Sequence, residues 1–121
     1  MFTFNKKERL KSRKVIEKLF TGGKSFLVYP IKVIYIQADT REGFPAQAAF
    51  SVSKKNYRKA TQRNLVKRRL KEAYRLQKAG FYDRLGEKEL AVMFVYIAKE
   101  ILPYSKFEKA MKTILDKLSK Q

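Results

Sequence analysis

The sequence predicts a single α/β domain, an α+β two-layer sandwich in which helices pack on a sheet. Segments of helical and strand periodicity alternate in the order helix, strand, strand, helix, strand, helix, and no linker, repeat or low-complexity stretch divides residues 1–121. The segment "KELAVMFVYIAKE" is an almost unbroken apolar run rich in β-branched and aromatic residues, which suits a strand buried on both faces at the centre of the sheet. With 45% hydrophobic residues and no Cys, the 121-residue chain can bury a modest core without disulfides or metal.

The first helix is read in "SRKVIEKLF", where Val15, Ile16, Leu19 and Phe20 share a face, Ser12 serves as N-cap, and Gly22 and Gly23 end the element. "YPIKVIYIQA" follows as a strand, with Ile31, Val33 and Tyr35 on one face and Lys32, Ile34 and Ile36 on the other. The turn-rich "DTREGFP" leads to a second strand in "AQAAFSVSKK", where Phe50 and Val52 alternate with Ser51 and Ser53. These two strands are expected to form an antiparallel hairpin. A long helix is predicted from near Lys59 to Lys78, with Gly80 beyond its end. After the apolar strand, Pro103 breaks the chain before a final amphipathic helix. There Ser105 and Glu108 form the pattern of a capping box, and Phe107, Ala110, Met111, Ile114, Leu115 and Leu118 repeat at helical spacing.

Charge narrows the function. The chain has 29 Lys and Arg against 11 Asp and Glu, a formal net charge of +18 at pH 7. Such a surface seeks a polyanion, with nucleic acid the first candidate and an anionic membrane the second. No lipidation signal is present, and the longest apolar run is far too short to span a bilayer. The opening "MFTFNKKERLKSRK" does not read as a secretory signal, so the expected location is the cytoplasm. With no His and no Cys, imidazole general-base catalysis, thiol nucleophiles and ordinary zinc sites are unavailable. The carboxylates are scattered, so any hydrolysis linked to this chain is expected to be performed by another molecule.

The basic residues concentrate in the long helix. From Ser51 to Arg75 there are ten Lys and Arg and one acid, Glu72, a local excess of +9. On a helical wheel starting at Arg63, Val66, Leu70, Ala73 and Gln77 fall between about 280° and 340° and can pack on the sheet. Arg63, Asn64, Lys67, Arg68, Lys71 and Arg75 fall between about 0° and 140°, with Arg69 outside that arc. Arg63, Lys67, Lys71 and Arg75 form a like-charge ladder at four-residue spacing, which repels itself unless a polyanion is bound. Phe20, Tyr35 and Phe50 could either stack on unpaired bases or fill the core.

"FSVSKK" at Phe50–Lys55, followed by "RNLVKRRLKEAYR" at Arg63–Arg75 and preceded by "ERLKSRKVIEKLF", resembles the bacterial ribonuclease P protein subunit over nearly the whole chain. The resemblance implies a mixed four-stranded sheet, order α-β-β-(β)-α-β-α, with a left-handed β-α-β crossover around the basic helix. The fourth strand is not placed by the pattern. It also implies an accessory subunit of a tRNA-processing endoribonuclease, in which an RNA subunit performs the metal-dependent removal of the 5′ leader from precursor tRNA. The implied RNA-subunit contacts are Arg63, Asn64, Lys67, Arg68, Lys71 and Arg75, with Arg69 compensating for Leu65, which stands where the family commonly has arginine. The implied leader contacts are Phe20, Tyr35, Ser51, Ser53, Lys54 and Lys55, in a cleft between the first helix and the sheet. Ile16 stands where many members have an aromatic. No catalytic residue is expected in the chain. Mg2+ is expected at the holoenzyme active site, bound mainly by RNA, and no obligate protein partner or membrane is implied. A structural RNA-binding protein, such as a ribosomal protein, is the alternative class.

Overall fold

The computed structural model describes Phe4, residues 6–37, 45–86 and 88–120. A short 3-10 turn, Lys6–Glu8, precedes helix α1, Arg13–Gly22, and strands β1, Lys24–Val28, β2, Ile31–Gln37, and β3, Ala46–Val52. Helix α2, Ala60–Leu85, strand β4, Leu90–Tyr96, and helix α3, Tyr104–Ser119, complete the chain. The strand order is β1-β2-β4-β3, with β1–β2 and β2–β4 antiparallel and β3–β4 parallel.

The mixed four-stranded sheet is as expected, and the apolar segment Leu90–Tyr96 is a central strand, buried except at Val95. The hairpin is not the expected one. β2 turns back onto β1 through Tyr29 and a cis-Pro30, while β3 lies on the far side of β4. β1 is therefore the missing fourth strand. Its pattern hid it, because as an edge strand it leaves Leu27 exposed, so no apolar alternation marks it. The turn expected over residues 39–45 lies, apart from Pro45, outside the described residues.

The two sheet faces are covered unequally. Ile31, Val33, Tyr35, Phe50, Val52, Val92, Phe94 and Tyr96 point to α2 and α3 and form the main core. Within it Phe50 stacks on Phe94 with ring centroids 5.4 Å apart, and Tyr96 stacks on Phe107 at 4.9 Å. On the other face the short α1 lays Leu19, Val15 and Ile16 over Ile34, Ala91 and Met93. Ser12 caps α1 as predicted, its Oγ accepting from the Val15 N–H at 3.4 Å. Gly23 ends the helix by donating its N–H to the Leu19 carbonyl, and a Cβ there would collide with that same carbonyl.

Helix α2 buries Val66, Leu70 and Ala73, as the wheel requires, but continues seven residues past Lys78 to Leu85. Gly80 is inside it. The residue that ends α2 is Gly86, whose φ of 61° lies in the left-handed region that favours glycine. The extension is driven by burial of Phe81 and Leu85, which outweighs the low helix propensity of one glycine. In α3 the six predicted apolar positions are all buried, but the capping box does not form. The helix starts at Tyr104, Pro103 is its N-cap, and Ser105 lies inside the first turn without a side-chain capping bond.

The segment before α1 is fastened to α2 by a buried ion pair. Glu8 and Lys78 meet at 2.5 Å with their side chains 1% and 6% exposed, and Tyr82 donates its hydroxyl to the same Glu8 oxygen at 2.7 Å. None of the described helices is long and apolar enough to cross a membrane.

Glu8→Ala takes the carboxylate away from a buried ammonium, and should cost about 3–5 kcal/mol in a urea denaturation series. Replacing both partners, Glu8→Leu with Lys78→Met, should recover most of that loss. Gly80→Ala should move stability the other way, by about 1 kcal/mol. Its site on α2 is exposed, with open space around the added methyl group.

Candidate nucleic-acid interface

Once Val66, Leu70, Ala73 and Phe81 are pinned to the sheet, the rest of α2 has no freedom to rotate. One flank faces the edge of β3 and the segment before α1, and the other faces α3. Asn64 and Arg68 are exposed, and Lys67 and Lys71 are half-buried on the β3 flank. Among the described residues no carboxylate pairs with Lys67, Arg68 or Lys71.

The remaining predicted members are partly engaged within the protein. Arg63 donates its Nη1 to the carbonyls of Tyr57 and Arg58, at 2.8 and 2.7 Å, and so holds the loop between β3 and α2. Tyr57 anchors the same loop by donating its hydroxyl to the Ala98 carbonyl at 2.7 Å; burial, helped by nearby Tyr96, pushes its pKa up to about 12. Arg75 grips Glu72 through two bonds, of 3.0 and 2.6 Å, and these hold the Glu72 carboxyl below its usual range. Arg69 sits on the opposite flank, where its Nη1 donates to the Leu102 carbonyl at 2.7 Å. It lies apart from the flank that carries Lys67, Arg68 and Lys71.

The second candidate surface is the half of the sheet that α1 leaves uncovered. In-register pairing aligns Leu27, Lys32, Val95 and Ser51, one residue from each strand, on the face where α1 packs. Leu27 and Lys32 are exposed, and Val95 and Ser51 half-buried. Phe20, 62% exposed, projects from α1 on that side. At the end of the row a cavity of about 660 Å³ is lined by Ser53, Lys55, Asn56, Val95, Tyr96, Ile97 and Lys99. Lys54 is exposed beside it. The Ser53 Oγ accepts from the Lys55 N–H at 3.2 Å, shaping the turn that leaves β3.

Tyr35 does not belong to this groove. Strand alternation turns it to the opposite face, 7% exposed and edge-on to Phe26 at 5.9 Å, and its neighbour Ile34 occupies the α1 side. Phe50 is also core. Of the three aromatics that could stack on bases, only Phe20 is presented to solvent. Leu27, Lys32 and Val95 were missed because their neighbourhood depends on strand order. Arg9 and Lys11 were missed for a similar reason: a bridge from Arg9 to Ala48 brings them to the β3 edge, beside Lys67 and Lys71. Among the described residues no cluster of three or more acidic side chains could hold a metal ion.

A mixed sheet carrying one unneutralised cationic helix flank and one half-open face defines a small, strongly basic α+β protein. The family model for Ribonuclease P matches residues 4–119, and the chain belongs to the ribonuclease P protein family. The Ribonuclease P protein component of Porphyromonas gingivalis is 35% identical over 120 residues, covering 98% of this chain and 88% of that protein. That of Chlorobium phaeobacteroides is 35% identical over 101 residues, covering 79% and 69%. The fold matches the RNase P protein from Thermotoga maritima with a TM-score of 0.72, at 22% identity over 91% of this chain and 96% of that one. The Staphylococcus aureus RNase P protein gives 0.69, at 21% identity over 92% and 94%.

The bonds made by Arg63 separate it from Arg68. Arg63→Ala should lower stability by about 1–2 kcal/mol through the two lost carbonyl bonds. Arg68→Ala should stay within about 0.5 kcal/mol of the parent. Thermal denaturation of the two single variants reads the difference directly.

Proposed function

We propose that this chain is the protein subunit of ribonuclease P. It binds the catalytic RNA subunit and the 5′ leader of precursor tRNA, and promotes metal-dependent removal of the leader in tRNA 5′ maturation. The observation that carries this reading is the set of unpaired cations Lys67, Arg68 and Lys71 on a helix fixed by its other face, in a chain of this family. Arg63, Asn64 and Arg75 flank them and complete the surface offered to the RNA subunit. Arginine supplies a planar fork for phosphate and lysine a compact charge, so the surface holds a backbone without reading sequence.

The leader lies in the open half of the sheet, with Phe20 stacking on a base, Ser51 and Ser53 offering hydroxyls, and Lys54 and Lys55 meeting phosphates. This half-open face supports the reading over that of a purely structural RNA-binding protein, which has no need of a second groove. The chain contributes no catalytic residue. Mg2+ supplies the cleavage chemistry when bound, and is held mainly by RNA, because the described acidic residues do not cluster to fit it. The protein works in the cytoplasm with its RNA partner and needs no second protein.

Cleavage of precursor tRNA by the cognate RNA subunit at low magnesium, with and without this chain, tests the proposal. Added protein should restore cleavage and tighten substrate binding; failure of both sinks the proposal. With about six phosphates contacted, affinity for the RNA subunit should fall roughly a thousandfold between 50 and 200 mM salt. Phe20→Ala should weaken leader binding by about 1–3 kcal/mol, the cost of one lost stack. Tyr35→Phe, on the buried face, should leave leader binding unchanged.

A further inference from the structure

β2 outruns its neighbour β1 at the edge of the sheet. Its pairing with β1 ends at Tyr35, opposite Lys24, whereas its pairing with β4 continues through Ile36 to Gln37, opposite Leu90. Among the described residues no strand covers the β1 side of Ile36 and Gln37. Consecutive residues of a strand turn their backbone groups to opposite sides, so the N–H and C=O of one of the two face this gap. A cavity of about 350 Å³ occupies it. Its apolar wall is made by Tyr35, Ile36 and Leu90, and Lys24, Gln37 and Lys88 stand exposed at its rim. Tyr35 and Leu90 belong to the core under α2 and α3, and Ile36 to the face under α1, so the cavity wraps round the open edge of β2. The Lys88 N–H donates to the Leu85 carbonyl at 3.1 Å, in the turn that brings Lys88 to the rim. Lys24 has no carboxylate partner among the described residues.

We infer that this cavity binds a small apolar carboxylate, an aryl or short-chain organic acid. The hydrocarbon part lies against Tyr35, Ile36 and Leu90, and the carboxylate meets the ammonium groups of Lys24 and Lys88 beside the Gln37 amide. A few convergent polar groups over an apolar wall, at this volume, are the ordinary make-up of a small-ligand site. A bare inorganic anion gains nothing from the apolar wall, and a neutral hydrocarbon gains nothing from the lysines. A molecule with one acid group on an apolar body satisfies both. The cavity is separate from both nucleic-acid surfaces. The cationic flank of α2 lies beyond β3, at the other edge of the sheet. The Leu27, Lys32, Val95 and Ser51 row crosses β2 at Lys32, about 17 Å along the strand from Gln37. The site therefore stands independently of the ribonuclease P reading.

The test is calorimetric titration of the full chain with cinnamate in phosphate buffer, whose anion occupies the exposed cations elsewhere. Cinnamyl alcohol, which keeps the ring and lacks the carboxylate, should bind about tenfold more weakly, as should cinnamate to Lys24→Gln. A Cβ at Gly22, which also lines the cavity, meets nothing within 4 Å, so Gly22→Phe can fill the space and should weaken cinnamate binding at least as much. Lys106→Gln, an equal charge loss on the exposed face of α3, should change binding by less than about twofold. Phe20→Ala should leave it unchanged, because the leader groove is a different place. Absence of cinnamate binding, or equal affinity for cinnamate and the alcohol, overturns the site. So does parental affinity in Lys24→Gln, or a loss in Phe20→Ala that Lys24→Gln does not share. Should Gly22→Phe loosen the fold, Lys24→Gln and the comparison of acid with alcohol still decide the matter.

Discussion

Two parallel strands cannot be joined by a tight turn, so the pairing of β3 with β4 obliges the chain to travel back along the sheet between Val52 and Leu90. Most of that journey is α2, whose 26 residues span about 39 Å. A helix used this way must give one face to the sheet along its whole length. In return, the sheet fixes its rotation, and hence the direction of every other side chain it carries. Lys67 and Lys71 face the β3 edge and Arg69 faces α3 for no reason of their own, but because Val66, Leu70 and Ala73 are buried. The cationic surface is thus a by-product of the crossover, positioned as firmly as the core.

A net charge of +18 opposes the compact state, and the structure limits the cost by placing its few acids where they matter. Glu8 is the clearest case. It neutralises Lys78, which would otherwise continue the basic series of α2 into the interior, and it draws in the hydroxyl of Tyr82. The Tyr82 pKa is raised, first by burial and then by Tyr74 and Glu8, so the hydroxyl remains a donor throughout the ordinary pH range. Glu72 acts at the surface, tempering Arg75 and leaving the middle of the helix unneutralised.

The helices and the central strand were legible in the sequence because their signals are periodic and local. Val15, Ile16 and Leu19, or Phe107 through Leu118, announce a buried stripe whatever surrounds them. Strand partners carry no such mark. β2 and β3 follow each other in sequence and both alternate, yet β4 lies between them, a choice made by packing that no short segment reveals. The same limit explains the site residues. Lys67, Arg68 and Lys71 could be read from one helix, whereas the row of Leu27, Lys32, Val95 and Ser51 draws one residue from each of four strands, and the face on which Tyr35 or Ile34 appears depends on the register of the whole sheet. The wheel puts Arg63 on the basic arc, but its hold on the Tyr57 and Arg58 carbonyls depends on loop geometry that the wheel does not contain.

The row formed by Leu27, Lys32, Val95 and Ser51 sets different rules for different kinds of genetic change. Its members belong to none of the helices and lie on the side of the sheet away from the main core. A substitution at the exposed Leu27 or Lys32 can alter the chemistry of this face with little effect on the interior. An insertion or deletion of one residue in any strand is another matter, because the two-residue repeat then carries that strand's member of the row to the opposite face. The chemistry presented along this row is therefore open to gradual change through point substitution and closed to change through strand length.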